Sequence, residues 1–349
     1  MSFYTVFFIA FCISFAAAPV VILLANNSGA IALPGKRHIH THPTPKLGGI
    51  AIASGVLIFS PFIFPVNGII GSYLAASALM LLLGIVDDIW GTEWKLKLTV
   101  SIIATSIIIF GAGIWIKNLG DLFGSGEIHL GLWGIPFTYF AVFGIINAIN
   151  LIDGLNGLAC GVSSIAFLSM AVFASMSGNE IVFYLSLVNL GATLGLFKYN
   201  YPKARIFMGD SGSLFLGFSL AILAILLTQG DGEGVSPMVP VIILGLPIFD
   251  TVRVLIFRII NKKHPFGADK THLHYLMMRS GIHPNHVVKV IWILSALMSI
   301  LAFVLYRFEA WIMLLIYIIF VSFLGIYVEN LSIIRLNKSK KNSTNGSLL

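Results

Sequence analysis

Two adjacent carboxylates, Asp87 and Asp88, stand in the stretch LLLGIVDDIWGTEWKLKL (81–98), directly behind an apolar run that begins near Ile69. Neighbouring carboxylates repel each other, and burying even one is costly unless a cation answers it. Two further stretches place acids in polar settings. In NAINLIDGLNGLACG (147–161), Asn147, Asn150 and Asp153 recur every three residues, which puts three polar groups on roughly one face of a helix end. Gly154 and Gly157 then let the backbone turn, so a plain polar cap explains this segment equally well. In YNYPKARIFMGDSGSLFLG (199–217), Gly209 and Gly212 bracket Asp210, and Ser211 or Ser213 can cap a following helix. Free N–H groups at a helix start form a natural anion site. An aspartate there would repel a phosphate unless a divalent metal lay between them. Mg²⁺ suits that arrangement, because it is typically held by one or two carboxylates plus substrate phosphates. It would also answer Asp87 and Asp88. A capped helix in a tight turn is the simpler alternative.

Cations gather in FRIINKKHPFGADKTHLHYLMMRSGIHPNH (257–286). Lys262, Lys263, Lys270, His272 and His274 could grip a diphosphate, with Arg258 continuing the preceding helix toward it; a basic, lipid-facing loop is the ordinary alternative. His-x-His alone does not make a zinc site, since no third thiolate or histidine follows at a standard interval. Asp250 lies inside a helix, three residues before Arg253, which predicts an intrahelical pair with a structural role. In HIHTHPTPKLGGIAI (38–52), Lys46 could face the same site, whereas His38, His40 and His42 alternate in an extended, solvated segment.

The elements that must position these groups are apolar. The 349 residues are 58% hydrophobic and 10% charged, against about 25% charged in soluble domains. This is the composition of an all-α polytopic membrane protein. Runs long enough to cross a bilayer fall at 3–25, 47–65, 69–88, 98–116, 133–152, 158–176, 180–198, 212–229, 236–257, 287–306 and 309–330, eleven spans in all. The first has no basic region or cleavage site before it and reads as a retained helix. Residues 1–330 then form a single transmembrane domain, with polar loops at 26–46, 89–97, 150–157, 199–211 and 258–286; 331–349 read as a short basic, disordered tail. All lysines and arginines but Lys117 and Arg307 fall on one side of this topology. The positive-inside rule makes that side cytoplasmic, with the N-terminus outside and the C-terminus inside. All histidines but His129, and the carboxylates Asp87, Asp88, Asp153, Asp210 and Asp269, share that side. The net charge of +7 is thus a topology signal and not a sign of nucleic acid. Cys12 and Cys160, each inside an apolar run, read as small buried residues.

Taken in order, PTPKLGG, VDD, NAINLIDGLNG, FMGDSGSLFLG and DKTHLHYLMMRSG resemble the polyprenyl-phosphate N-acetylhexosamine-1-phosphate transferase family over nearly the whole chain. The D-x-x-H-x-H pattern resembles its undecaprenyl-phosphate GlcNAc-1-phosphate branch. The resemblance implies a multi-pass enzyme of the inner (cytoplasmic) membrane with its site on the cytoplasmic face, taking the first membrane step of a cell-envelope polysaccharide such as O-antigen or a cell-wall polymer. A polyprenyl phosphate would attack the β-phosphate of a UDP-N-acetylhexosamine, giving a polyprenyl-diphosphate sugar and UMP, with Mg²⁺ or its substitute Mn²⁺. It implies Asp210 as a metal ligand, joined by Asp87, and Asp87, Asp88 and Asp153 as the catalytic carboxylates. Asn150, Asp153, Asn200, Phe207 and Gly209 would cradle the nucleotide, Phe207 by stacking on uracil, with Asn147 and Asn156 as further substrate-binding residues. Lys46, Lys97, Arg258, Lys270, His272 and His274 would hold phosphates or the sugar. The lipid bilayer is the medium, and a homodimer is compatible with the pattern. Two positions depart from the family: Asn156 replaces an aspartate of D-G-x-D-G, so it cannot act as a base, and Tyr275 replaces a histidine, removing a positive charge. A secondary transporter, the alternative reading, would place its acids near the bilayer midplane between inverted repeats. An aromatic prenyltransferase would carry a second aspartate four residues on, where Gly91 and Thr92 stand.

Overall fold

A computed structural model describes residues 1–33, 42–229, 234–262 and 271–345, with side chains through residue 330. The chain is an all-α polytopic membrane protein. Among the described residues, nine helices are long and apolar enough to cross a membrane. They are α1 (Phe3–Ser28), α3 (Gly68–Trp90), α4 (Trp94–Ser106, running on through a π turn to Gly111), α5 (Gly134–Ile152), α6 (Leu158–Met176), α7 (Glu180–Asn200), α8 (Gly209–Gln229), α12 (Pro284–Leu305) and α13 (Ala310–Asn345). Shorter helices complete the chain: α2 (Gly48–Phe59, extended by a 3-10 turn to Phe62), α9 (Met238–Ile243), α10 (Gly245–Ile260) and α11 (Leu273–Arg279). A two-residue ladder pairs β1 (Ile31–Ala32) with β2 (Thr44–Pro45), antiparallel.

Sequence and structure differ at three places. The run at 47–65 yields a short helix, because Pro61 and Pro65 end regular hydrogen bonding. The run at 236–257 is two helices broken at Leu244, next to Pro240, Gly245 and Pro247. The polar tail continues α13 as helix to Asn345 rather than leaving it disordered, since extending a formed helix costs far less than nucleating one.

The helices pack around α8. Of its spanning window 94% is buried, against 28% for α1, which leaves the latter facing lipid. α8 is apolar on every side, and α2, α3, α5, α6 and α7 surround it. Lipid gives no hydrophobic drive between helices, so close packing and buried hydrogen bonds hold them together. Gly49 of α2 and Gly84 of α3 both rest against the backbone of Ser211, in the first turn of α8, where neither has room for a Cβ. Deeper in, Tyr73 of α3 donates to Ser219 of α8 at 3.0 Å and accepts from Asn189 of α7 at 3.0 Å. These contacts fix the N-terminus of α8, which carries Asp210, against the C-terminal end of α3, which carries Asp87 and Asp88.

Candidate active site

Each member of the acidic pair has its own partners. Asp87 Oδ1 accepts from the Thr92 N–H at 2.7 Å and from the Thr92 hydroxyl, a local turn made where Gly91 ends α3. Asp87 Oδ2 meets Lys97 Nζ at 2.9 Å, and the same ammonium contacts Asp210 Oδ2. Lys97 is therefore the cation that draws Asp87 and Asp210 together. Asn150 donates to Asp210 Oδ1 at 3.1 Å and to Ser213 Oγ at 2.8 Å, fixing the far side of that carboxylate.

Asp88 points elsewhere. Its Oδ1 accepts the N–H of Asp210 at 3.0 Å and its Oδ2 that of Ser211 at 2.9 Å, so it caps the start of α8 from a neighbouring helix. Asp88 is 4% exposed, while the Asp210 side chain is 28% exposed and open to a ligand. Gly209 is the hinge between them: its φ is +72°, and a Cβ would strike Asp88 and the Lys46 carbonyl.

Three loops meet beside this cluster. Asn200 is buried; its Oδ1 accepts from Gly157 N at 2.8 Å and its Nδ2 donates to Ile206 O at 2.9 Å, tying the 153–157 turn to the 201–208 loop. Asn156 adds a bond to Pro202 O at 3.2 Å. Phe207 donates its N–H to Pro45 O at 2.8 Å and accepts from Gly48 N at 3.0 Å, which brings the half-buried Lys46 segment alongside. Asp153 terminates α5 and makes no hydrogen bond through its carboxyl among the described residues. Burial, then the charges of Asp210 and Asp88, push it up to about 8, so it carries a proton at neutral pH.

The histidine segment closes the site from the other side. His272 is buried against Asp250, Nδ1 to Oδ2 at 2.9 Å. The His274 ring presses on Gly154, beside Asp153, leaving no space there for a Cβ. Burial holds His274 down to about 4, so it is neutral. Arg258 is buried at the end of α10. Lys270 lies outside the described residues.

The structure thus joins Asp87, Lys97, Asn150 and Asp210 directly, with Asp88, Gly209 and Asn200 holding backbone around them. Asn147 does not reach the cluster: it bonds back to Phe143 O at 2.7 Å, one turn earlier in α5. Thr92, and the bond of Ser213 to Asn150, were not foreseen. A lone hydroxyl just past a helix carries no spacing signal, although Ser213 sits inside a motif already noted. The Asp250–Arg253 pair forms, at 2.9 Å, but the His272 partner twenty-two residues away does not show in local spacing. Among the described residues, no three or more of His, Cys, Asp and Glu gather as a metal group. Two carboxylates sharing one cation do match the donor set of a Mg²⁺ that takes its remaining ligands from substrate and water.

The profile of glycosyl transferase family 4 matches residues 70–228, which run from α3 through α8 and include Asp87, Asp88, Asp153 and Asp210. The chain is 37% identical over 313 residues to a "Probable undecaprenyl-phosphate N-acetylglucosaminyl 1-phosphate transferase" of Bacillus subtilis (strain 168), covering 89% of this chain and 87% of that one. It is 31% identical over 310 residues to a decaprenyl-phosphate N-acetylglucosaminephosphotransferase of Mycolicibacterium smegmatis, covering 80% and 76%. It is 27% identical over 303 residues to the undecaprenyl-phosphate alpha-N-acetylglucosaminyl 1-phosphate transferase of Escherichia coli (strain K12), covering 85% and 83%.

Proposed function

The chain belongs to the polyprenyl-phosphate N-acetylhexosamine-1-phosphate transferase family, and from that premise we propose that it transfers GlcNAc-1-phosphate from UDP-GlcNAc to undecaprenyl phosphate. An oxygen of the lipid phosphate forms a bond to the β-phosphorus, the bond from that phosphorus to the bridging oxygen breaks, and UMP leaves. The observation that carries this reading is the meeting of Asp87 and Asp210 on one ammonium at the start of α8. A transferase that brings two phosphates together needs this kind of fixed, partly open charge cluster, because positioning and electrostatic stabilisation dominate phosphoryl transfer.

Asp210 and Asp87 would hold Mg²⁺, which when bound supplies neutralisation of phosphate charge; Mn²⁺ would serve the same donor set. The chain's own residues do the rest. Lys97 keeps the two carboxylates convergent and offers its ammonium to phosphate oxygens. Asn150 fixes the rotation of Asp210. Asp88 holds the first turn of α8 and does not meet substrate. Asp153, protonated at neutral pH, is a hydrogen-bond donor for the nucleotide, at the start of the turn that Asn200 fastens to the loop bearing Phe207. His272 and His274, with Arg258, would hold the donor's diphosphate.

The lysine and arginine asymmetry supports eleven crossings, with the N-terminus outside and this site at the cytoplasmic face of the inner membrane, where UDP-sugars are made. The two shorter crossings are α2 with its 3-10 turn, and α9 with α10. A 15-residue helix reaches only about 22 Å of a hydrocarbon core about 30 Å thick. α2 can be short because its first residues are sunk against α8.

The test is UMP release by the purified protein with UDP-GlcNAc, with and without undecaprenyl phosphate, beside a panel of other UDP-N-acetylhexosamines. UMP should appear only with acceptor present, and fastest with the GlcNAc donor. Absence of UMP with every donor would sink the reading.

A further inference from the structure

Asp250 does more than pair with its helix neighbour. From α10, Asp250 and Arg253 grip three consecutive residues of another segment. Arg253 donates to the carbonyl of Thr271, Asp250 Oδ2 meets His272 Nδ1 at 2.9 Å, and Asp250 Oδ1 accepts the N–H of Leu273 at 2.8 Å. Oδ1 is also the partner of Arg253, at 2.9 Å. Asp250 and His272 are each 4% exposed, so the contact is shielded from water and from salt. A carboxylate only accepts, so the shared hydrogen belongs to His272 Nδ1, and in the neutral ring the other nitrogen keeps a lone pair. That Nε2 has no hydrogen bond among the described residues. The neighbouring ring repeats the pattern. His274 is 1% exposed, lies nearly parallel to His272 with centroids 6.1 Å apart, and leaves both ring nitrogens without a partner.

A buried imidazole nitrogen without a partner is destabilising, because its lost hydration is not replaced. A fold that keeps both nitrogens of His274 in this state, against the loop bearing Asp153 and Gly154 and beside the unbonded Nε2 of His272, has prepared these rings for something that is not protein. We propose that Asp250 is a positioning residue for the sugar-nucleotide donor: it sets the tautomer and direction of His272 and anchors the start of α11, and it never touches substrate itself. This rests on the reading of the site as a UDP-GlcNAc transferase.

Asp250→Asn tests the tautomer with little change of shape. The amide oxygen still accepts from Leu273 and Arg253, while the NH2 group donates to Nδ1 and moves the ring hydrogen to Nε2. Ring nitrogen signals of histidine-labelled protein at about pH 8, assigned by difference against His272→Gln, report the tautomer without any substrate. Wild type should show Nδ1–H, and Asp250→Asn should show Nε2–H. The variant should also raise the KM for UDP-GlcNAc about tenfold, the lower end for lost outer partners of a functional histidine, with the KM for undecaprenyl phosphate within about twofold. Asp250→Asn combined with His272→Gln should be no worse than His272→Gln alone. A wild-type ring carrying its hydrogen on Nε2 would overturn the proposal, even if the variant did not accumulate. So would full additivity in the double variant, or an equal rise in both KM values with a lowered melting temperature. If the protein released no UMP at all, the transferase reading would fall while the tautomer result still stood.

Discussion

Asp88 accepts two backbone N–H groups from the first turn of α8, whereas the carboxylate next to it is held by Thr92 and Lys97. The sequence marks both as acids that need a cation, and nothing in VDD says which one faces it. The assignment follows from helix geometry: consecutive residues on α3 point about 100° apart, so only one can face Lys97 while the other faces α8. The two should therefore fail differently. In Asp88→Asn the amide NH2 would confront a backbone N–H that it cannot satisfy, at a cost of about 1–3 kcal/mol. The melting temperature in detergent should fall, and turnover should fall with it as Asp210 shifts. Asp87→Asn should leave the melting temperature near that of wild type and lower turnover at every pH from about 6 to 9. The lipid phosphate, with a second pKa of about 6, is mostly ionised over that range and needs little help from a base. An Asp87→Asn deficit that vanished at the alkaline end would make Asp87 a general base, and unaltered stability of Asp88→Asn would remove the clamp.

At the scale of elements, α8 is where apolar pattern and chemistry meet. Its span was legible as an unbroken apolar run after FMGDSGS and the glycine-flanked Asp210 as a helix start, but its burial was not, since α1 is more apolar and faces lipid. What could not be read was the role of Gly84, one isolated glycine in the α3 run. Its missing Cβ lets α3 lie directly on the Asp210–Ser211 backbone, and that long-range contact has no local signature. The lengths of α2 and of α9 with α10 were misjudged for a related reason: hydropathy registers an apolar run but not the prolines and glycines that interrupt its hydrogen bonding. Gly84→Ala should push α3 away from α8, spoil the Asp88 clamp and cost about 1–3 kcal/mol of stability together with most of the activity. Gly71 in the same helix is the control, since a Cβ there meets nothing nearer than 3.8 Å. Gly71→Ala should be neutral or stabilising, by up to about 1 kcal/mol in helix propensity. Equal losses in the two variants would show that any added methyl on α3 is harmful and that the contact with α8 is nothing special.

For the molecule as a whole, the decisive property is which way it faces, because the donor is water-soluble and the acceptor is a lipid. Asp87, Asp210 and Asn200 lie at the ends of α3, α8 and α7 that meet one another, so the orientation of any one of these helices fixes the side of the whole site. Lys198, Lys203 and Arg205 flank that end, while the 112–133 connection at the other end carries Lys117 as its one lysine or arginine. Moving that excess of positive charge outward would run against the membrane potential, at about 2.3 kcal/mol per charge per 100 mV. Ser125 and Lys203 are both exposed and belong to opposite ends. In a background freed of Cys12 and Cys160, Ser125→Cys should react with a membrane-impermeant maleimide in intact cells. Lys203→Cys should react only after the membrane is opened, and both should react equally in detergent. Labelling of Lys203→Cys from outside, with Ser125→Cys protected, would place the carboxylates on the face away from the cytosol, where no cytosolic UDP-sugar could reach them.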